Sequence, residues 1–123
     1  MKTLLSVLLL FVAVSLNAQT STELIGKWKL VSWKTKKGKE KDIKDYFKTD
    51  QVFQFFHGDG KFESIIGDKT HKGTWKLSDD NKELTVESML IPTTFSIDYF
   101  DSKKRIISTP QLGTLEYTKV SDE

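Results

Sequence analysis

The side chains that could carry acid–base or metal chemistry are few, and their spacing suits neither. The sequence contains two histidines, His57 and His71, and neither has a second ligand at a metal-binding spacing. His57 precedes a Gly-Asp-Gly sequence that is typical of a tight turn rather than of a catalytic dyad. The acidic pair Asp79-Asp80 lacks the further oxygen ligands that a calcium site of about six to eight ligands requires. We therefore expect no catalytic residue, no metal and no cofactor.

The sequence contains no cysteine, which excludes thiolate catalysis, cysteine-ligated metals and disulfides. The P-loop, G-x-S-x-G and G-x-G-x-x-G motifs are absent as well. The formal net charge is only +2 at pH 7, too small for a field that would draw the chain to nucleic acid or to an anionic membrane. These features predict a protein that binds rather than catalyses, without a nucleic-acid partner.

Large aromatic side chains are the residues best suited to bind a molecule. Eight of them are expected to point into the domain: Trp28, Phe53, Phe55, Phe62, Trp75, Phe95, Tyr99 and Tyr117. Two interpretations follow, because small folded domains either fill their interior with such rings or leave room for one ligand. In the first, the rings are only core. In the second, a small hydrophobic ligand binds at the mouth of the domain, among Phe53, Phe55, Phe62, Ser64, Tyr99 and Tyr117.

Residues 34–48 form a lysine-rich segment, with seven lysines against three acidic residues. This local excess suits an anionic target, such as an acidic glycan, a lipid head group or an acidic protein surface. It equally suits a solvated loop that keeps a small domain soluble. The lysines are interleaved with acids and the apolar residues are few, so the segment does not resemble a track for single-stranded nucleic acid.

A second functional class is a protein-interaction or inhibitor module of the cell envelope. In the predicted first strand, residues 23–34, strict alternation places Trp33 on the face opposite Trp28 and therefore on the outside. Exposed aromatic residues often mark interfaces. This support disappears if the lysine-rich segment folds over Trp33 and buries it.

The elements that must position these residues are strands, because apolar residues recur with period two after residue 20. Eight strands are predicted, over residues 23–34, 51–57, 61–66, 72–77 and 83–88, from residue 92 onward, and over residues 104–108 and 112–120. Within the lysine-rich segment, Ile43 and Phe47 are four residues apart, which predicts a short helix over residues 42–47 that covers one end. Closing the sheet removes its two exposed edges. The prediction is an all-β, eight-stranded antiparallel up-and-down barrel, with a two-sheet sandwich as the alternative.

One short motif occurs twice in these strands. Gly26-Lys27-Trp28 resembles the G-x-W opening of the lipocalin and wider calycin families, and residues 73–77 repeat residues 26–30 at four of five positions. The whole mature chain is similar to small exported bacterial lipocalin-like domains. The resemblance implies that Gly26, Trp28, Gly73 and Trp75 are structural, with Trp28 closing one end of the barrel. It also implies a basic side chain over the Trp28 ring. Lys119 is the first candidate for that role and Arg105 the second.

Residues 1–18 resemble a secretory signal peptide, with Lys2 before an apolar run over residues 4–16 and the small Ala18 at the expected cleavage point. The run is shorter than the roughly 20 residues of a spanning helix, so an uncleaved anchor is the lesser alternative. The mature domain would then be residues 19–123, periplasmic or secreted, with no membrane span. Its partners are expected to be a small hydrophobic ligand or an envelope protein, and its oligomeric state stays open.

Overall fold

The computed structural model describes residues 22–88 and 90–122, so the predicted signal peptide and its cleavage point lie outside the described residues. In the described part of the chain, residues 22–24 are helical and are followed by eight strands and one short helix. They are β1 (Gly26–Lys34), α1 (Ile43–Phe47), β2 (Val52–Phe56), β3 (Lys61–Ile66), β4 (Lys69–Leu77), β5 (Glu83–Ser88), β6 (Ile91–Phe100), β7 (Lys104–Thr109) and β8 (Gly113–Ser121).

The eight strands form a closed barrel in which each strand pairs antiparallel with its sequence neighbours and β8 pairs with β1. The predicted barrel and the predicted helix in the first long loop are therefore both confirmed. Hydrogen bonding around the full circle leaves none of these eight strands as a free edge.

The strand pairing contains three register shifts, and two of them determine the facing of residues discussed above. The register between β1 and β8 shifts between Leu30 and Ser32, so Val31 is an extra residue on β1. Trp33 consequently turns inward and is 5% exposed, whereas Val31 lies outside. The prediction of an exposed Trp33 is wrong for this reason.

The second bulge lies in β6, where the register with β7 shifts between Ile97 and Tyr99. Phe100 therefore packs against the Trp28 ring, with 5.9 Å between the ring centroids. Tyr99 is turned out of the barrel, is 47% exposed and donates a hydrogen bond to Asp101. The prediction that Tyr99 faces the interior is wrong. It assumed strict alternation along the strand, and the extra residue at the bulge reverses the facing of the residues after it.

Strand β2 has the opposite facing from the one predicted. Val52 and Phe56 are buried, and the Gln54 side chain reaches a buried arginine, so these three residues face inward. Phe53 and Phe55 then face outward, where Phe53 lies under the Lys27 ammonium and Phe55 stacks on His57. The run is apolar on both faces, so period two alone could not decide its orientation.

One end of the barrel is closed by tight packing around Trp28. Trp28, Leu24 and Phe56 are fully buried, and the indole Nε1 of Trp28 donates to the carbonyl of Leu24 at 2.8 Å. Gly26 has a φ of +132°, and a Cβ there would lie 2.5 Å from the carbonyl oxygen of Ser121. Glycine is therefore required where β1 passes the end of β8.

The other end of the barrel, called the mouth below, is partly covered by α1. Asp42 caps the helix by accepting a hydrogen bond from the Asp45 amide at 2.9 Å. Tyr46 and Phe47 lie against the Trp33 ring, at 4.8 and 5.8 Å between centroids. The helix is thus held over the mouth by aromatic contacts, and none of its residues is fully buried.

Candidate functional site

The mouth opens into a cavity of about 270 Å³ between α1 and the strands beneath it. Most of its lining is apolar: Leu30, Trp33, Tyr46, Phe47, Val52, Phe53, Ile66, Phe95, Leu112, Leu115 and Tyr117, with Gln54 and Ser64 as the polar members. Trp33 cannot serve as a donor to a ligand, because its Nε1 already donates to the carbonyl of Leu112 at 2.7 Å. The cavity is therefore an apolar cleft with two polar side chains, an arrangement typical of small-ligand sites.

A second cavity of about 190 Å³ adjoins the first under β5 and β6. The two cavities share Gln54, Ser64 and Phe95 in their linings. Gln54 and Ser64 are register partners on β2 and β3, so their side chains lie next to each other. Gln54 and Ser64 are therefore the polar side chains where the two cavities meet, and Ser88 and Thr93 add hydroxyls to the second cavity alone.

Below Gln54 lies Arg105, a fully buried cation. Its guanidinium carbon is 5.1 Å from the centroid of the Trp28 ring, 4.9 Å from that of Phe56 and 4.3 Å from that of Tyr117. Its Nη2 donates to Gln54 Oε1 at 2.7 Å. Cation–π contacts of this kind contribute about 0.5–2 kcal/mol each.

Burial shifts the ionisation of both polar groups in this cluster. It lowers the pKa of Arg105 to about 10 and raises the pKa of Tyr117 to about 12, because each charged form loses its hydration. The guanidinium is still protonated at neutral pH and the phenol is still neutral. Beneath the mouth the barrel therefore holds a permanent positive charge.

Solved structures of two Bacteroides proteins have a similar fold. A lipocalin-like protein from Bacteroides uniformis has a TM-score of 0.65 at 19% identity, over 80% of this chain and 99% of that one. An uncharacterised protein from Bacteroides eggerthii has a TM-score of 0.63 at 18% identity, over 78% and 98% of the two chains. The barrel has a lipocalin-like fold. No protein-family model and no curated protein matches the sequence.

Within this lipocalin-like barrel, both candidates for the basic residue over Trp28 occupy that position. Arg105 lies over the ring from the interior, and Lys119 Nζ is 5.5 Å from the ring centroid. Lys119 Nζ also donates to the carbonyl of Glu23 at 2.8 Å. In the second G-x-W copy, Trp75 Nε1 donates to the carbonyl of His57 at 2.8 Å. Both indoles therefore form a hydrogen bond to a backbone carbonyl outside their own strand.

The barrel brings together four of the six residues predicted to bind a ligand. Tyr117 lines the first cavity, Phe62 lines the second, and Ser64 lines both. Phe53 also belongs to the lining of the first cavity, although its ring faces outward and lies under the Lys27 ammonium. Phe55 and Tyr99 lie on the outer wall, away from both cavities. The sequence interpretation missed Trp33 and Gln54 as cavity residues, which the β1 bulge and the reversed facing of β2 reveal. It named Arg105 only as a cation over Trp28 and did not relate it to the cavity.

The remaining candidates lie on the surface. All seven lysines of residues 34–48 are exposed, and Lys41 Nζ lies 5.0 Å from the Trp33 ring centroid. His57 Nε2 contacts Glu63 Oε2 at 2.6 Å on the outer wall. Across the described part of the chain, no group of three or more metal-ligating side chains converges. No helix within the described ranges is long and apolar enough to cross a membrane.

Proposed function

We propose that this chain is an exported binding protein that holds a small, predominantly apolar ligand at the mouth of its barrel and catalyses no reaction. The observation that carries the proposal is the cavity of about 270 Å³, lined by aromatic and aliphatic side chains around two polar ones. Ligand sites commonly measure about 300–1,000 Å³, so this cavity suits a ligand at the small end of that range. Tyr46 of α1 lines the cavity and is exposed, which supports access for a ligand from solvent on this side.

The alternative role, a protein-interaction or inhibitor module of the cell envelope, was predicted from an exposed Trp33. Trp33 is buried against Tyr46 and Phe47 instead, and its ring lines the cavity. The residue that favoured the interaction module thus favours the ligand site.

The test is a titration with N-phenyl-1-naphthylamine, an uncharged apolar dye whose emission rises in apolar surroundings. We expect saturable binding to the mature chain. Ser64→Leu adds bulk where the two cavities meet and should weaken dye binding by about ten-fold, because it removes contact volume. Ser96→Leu makes the same change at an exposed position of β6 and should leave binding unchanged. Linear dye uptake by the wild type, or equal binding by both variants, would contradict the proposal.

A further inference from the structure

The buried cation beneath the mouth has no counter-ion among the described residues. Arg105 forms no ion pair there, and its Nε and Nη1 have no hydrogen-bond partner. Nη2 alone is paired, with the neutral amide of Gln54. Burying a charge is costly unless it is paired or otherwise stabilised, and the three surrounding rings offset only part of that cost. The cluster therefore carries a positive potential that no side chain neutralises.

The same hydrogen bond fixes the orientation of the Gln54 amide. Because Oε1 accepts from the guanidinium, Nε2 must point away from it. Gln54 lines both cavities, so its NH₂ group is the part of the amide available there. Neither this NH₂ group nor the Ser64 hydroxyl has a hydrogen-bond partner in the described part of the chain. Two adjacent donors thus face the cavity in front of a buried positive charge.

We infer that the ligand of this barrel is an apolar molecule with a carboxylate, whose oxygens accept hydrogen bonds from Gln54 Nε2 and Ser64 Oγ. The inference rests on the proposed function and specifies its ligand class. The apolar part of the molecule lies against Trp33, Phe47 and Leu115 towards the mouth. Hydrogen bonds to a charged acceptor are stronger than those to a neutral one. The potential of Arg105, transmitted through the amide, favours the anion over a neutral acceptor.

The experiment compares octanoate, octanol and octylamine as competitors of the uncharged dye at neutral pH and low salt. We expect octanoate to displace the dye at about ten- to a hundred-fold lower concentration than octanol, because the attraction between one carboxylate and the nearby buried guanidinium favours the anion by about that factor. Octylamine should be the weakest competitor. The ratio of octanoate to octanol affinity is the quantity of interest, since it cancels the contribution of the alkyl chain.

Gln54→Glu is a nearly isosteric change that tests whether the Gln54 amide, oriented by Arg105, binds the carboxylate. It replaces the NH₂ donor by a carboxylate that pairs with Arg105, so the ratio should fall to about one or below. Gln111→Glu adds the same charge on the exposed β7–β8 turn and should keep the wild-type ratio. Thermal unfolding monitored by circular dichroism verifies that each variant is folded. Ser64→Ala, which leaves Arg105 and Gln54 untouched, should lower octanoate affinity several-fold.

The outcomes separate this inference from the proposed function. If the dye binds saturably but octanoate and octanol displace it equally, the inference that the ligand carries a carboxylate is wrong. The proposed apolar binding site would still stand. An unchanged ratio in folded Gln54→Glu would also overturn the inference of a carboxylate. If calorimetry detects neither dye nor octanoate binding to the wild type, both proposals are wrong.

Discussion

At the scale of single residues, the barrel is organised around Trp28 and the two cations on its ring. Arg105 contacts the ring from inside the barrel, while Lys119 lies across the closed end and also bonds the backbone before β1. Lys119 is the only one of the two with an acidic neighbour, Asp122, at 3.2 Å. The charge of Lys119 is therefore neutralised by an acidic side chain. Arg105 contacts only aromatic rings and the neutral amide of Gln54. This asymmetry makes Arg105, and not Lys119, relevant to the cavity.

The glycine of the first G-x-W copy gives a prediction at this scale. We expect Gly26→Ala to lower the free energy of unfolding by about 2–4 kcal/mol, because the new Cβ would combine an unfavourable positive φ with an overlap against Ser121. Gly38→Ala is the matched control, since Gly38 has a φ of +81° and no atom within 4 Å of the added Cβ. It should cost only about 1 kcal/mol. Urea denaturation of both variants measures the difference, and equal losses would show that the overlap is relieved.

At the scale of elements, the bulges in β1 and β6 determine the shape of the site. The β1 bulge turns Trp33 under α1, where Tyr46 and Phe47 pack on it. The β6 bulge turns Phe100 onto Trp28 at the closed end. Both bulges also increase strand twist, which helps eight short strands close. Each end of the barrel therefore depends on one aromatic side chain that a bulge turns inward. At the mouth this is Trp33, and at the closed end it is Phe100.

The β6–β7 turn gives a pH-dependent prediction. Asp101 accepts hydrogen bonds from the Tyr99 hydroxyl and from the amides of Lys103 and Lys104, and these bonds lower the pKa of its carboxyl group. The stabilisation is therefore present above the ordinary pKa of aspartate and is lost as the pH falls through the lowered value. Tyr99→Phe removes the largest contribution and should raise the pKa of Asp101 towards its ordinary value.

An NMR titration of the Asp101 carboxyl carbon measures this change. Asp80, whose carboxyl pKa is lowered by the Ser78 hydroxyl and the Lys82 amide instead, serves as an internal reference that the substitution should not affect. An unchanged Asp101 titration in Tyr99→Phe would show that the two amides alone set the pKa.

At the scale of the whole molecule, closure of the barrel and aromatic packing stabilise a chain that has no cysteine for disulfides. None of the eight strands has a free edge, the closed end is packed around the buried Trp28, and two adjoining cavities lie at the mouth. The exposed lysines of residues 34–48 surround α1, which suits a solvated rim. A domain built in this way can keep an open cavity at one end because the other end supplies its stability.

Export gives the prediction at this scale. Expression of the full chain in a bacterium with a secretory pathway should yield a soluble product that begins at Gln19, because cleavage is expected after Ala18. Intact mass and N-terminal sequencing of the periplasmic and medium fractions measure this. Ala18→Arg, which disfavours cleavage by placing a large charged residue at the cut, is the control. A product that retains Met1 in both cases would contradict the prediction.

Sequence patterns predicted most of the fold because strands, turns and caps depend on local chemistry. The bounds of β3 and β5 match the predicted ranges, and α1 begins directly after the predicted Asp42. The closed end around Trp28 was an implication of the resemblance to lipocalins. The positions of Lys119 and Arg105 followed from the family resemblance rather than from spacing. The predictions of the strands, the turns and the helix rest on alternation with period two, on turn glycines and on four-residue helical spacing. Each pattern depends only on residues that are close together in the sequence, so the sequence alone is enough to detect it.

The site depended on long-range structure instead. Whether Phe53 or Gln54 faces inward in β2 was decided by Arg105, which lies 51 positions from Gln54 along the chain. Whether Trp33 faces inward was decided by a bulge opposite β8 and by the aromatic residues of α1. A one-residue shift reverses every side chain beyond it, and local alternation carries no record of such a shift. The sequence therefore determined a barrel with a G-x-W core, and only the tertiary structure decided which residues form its cavity.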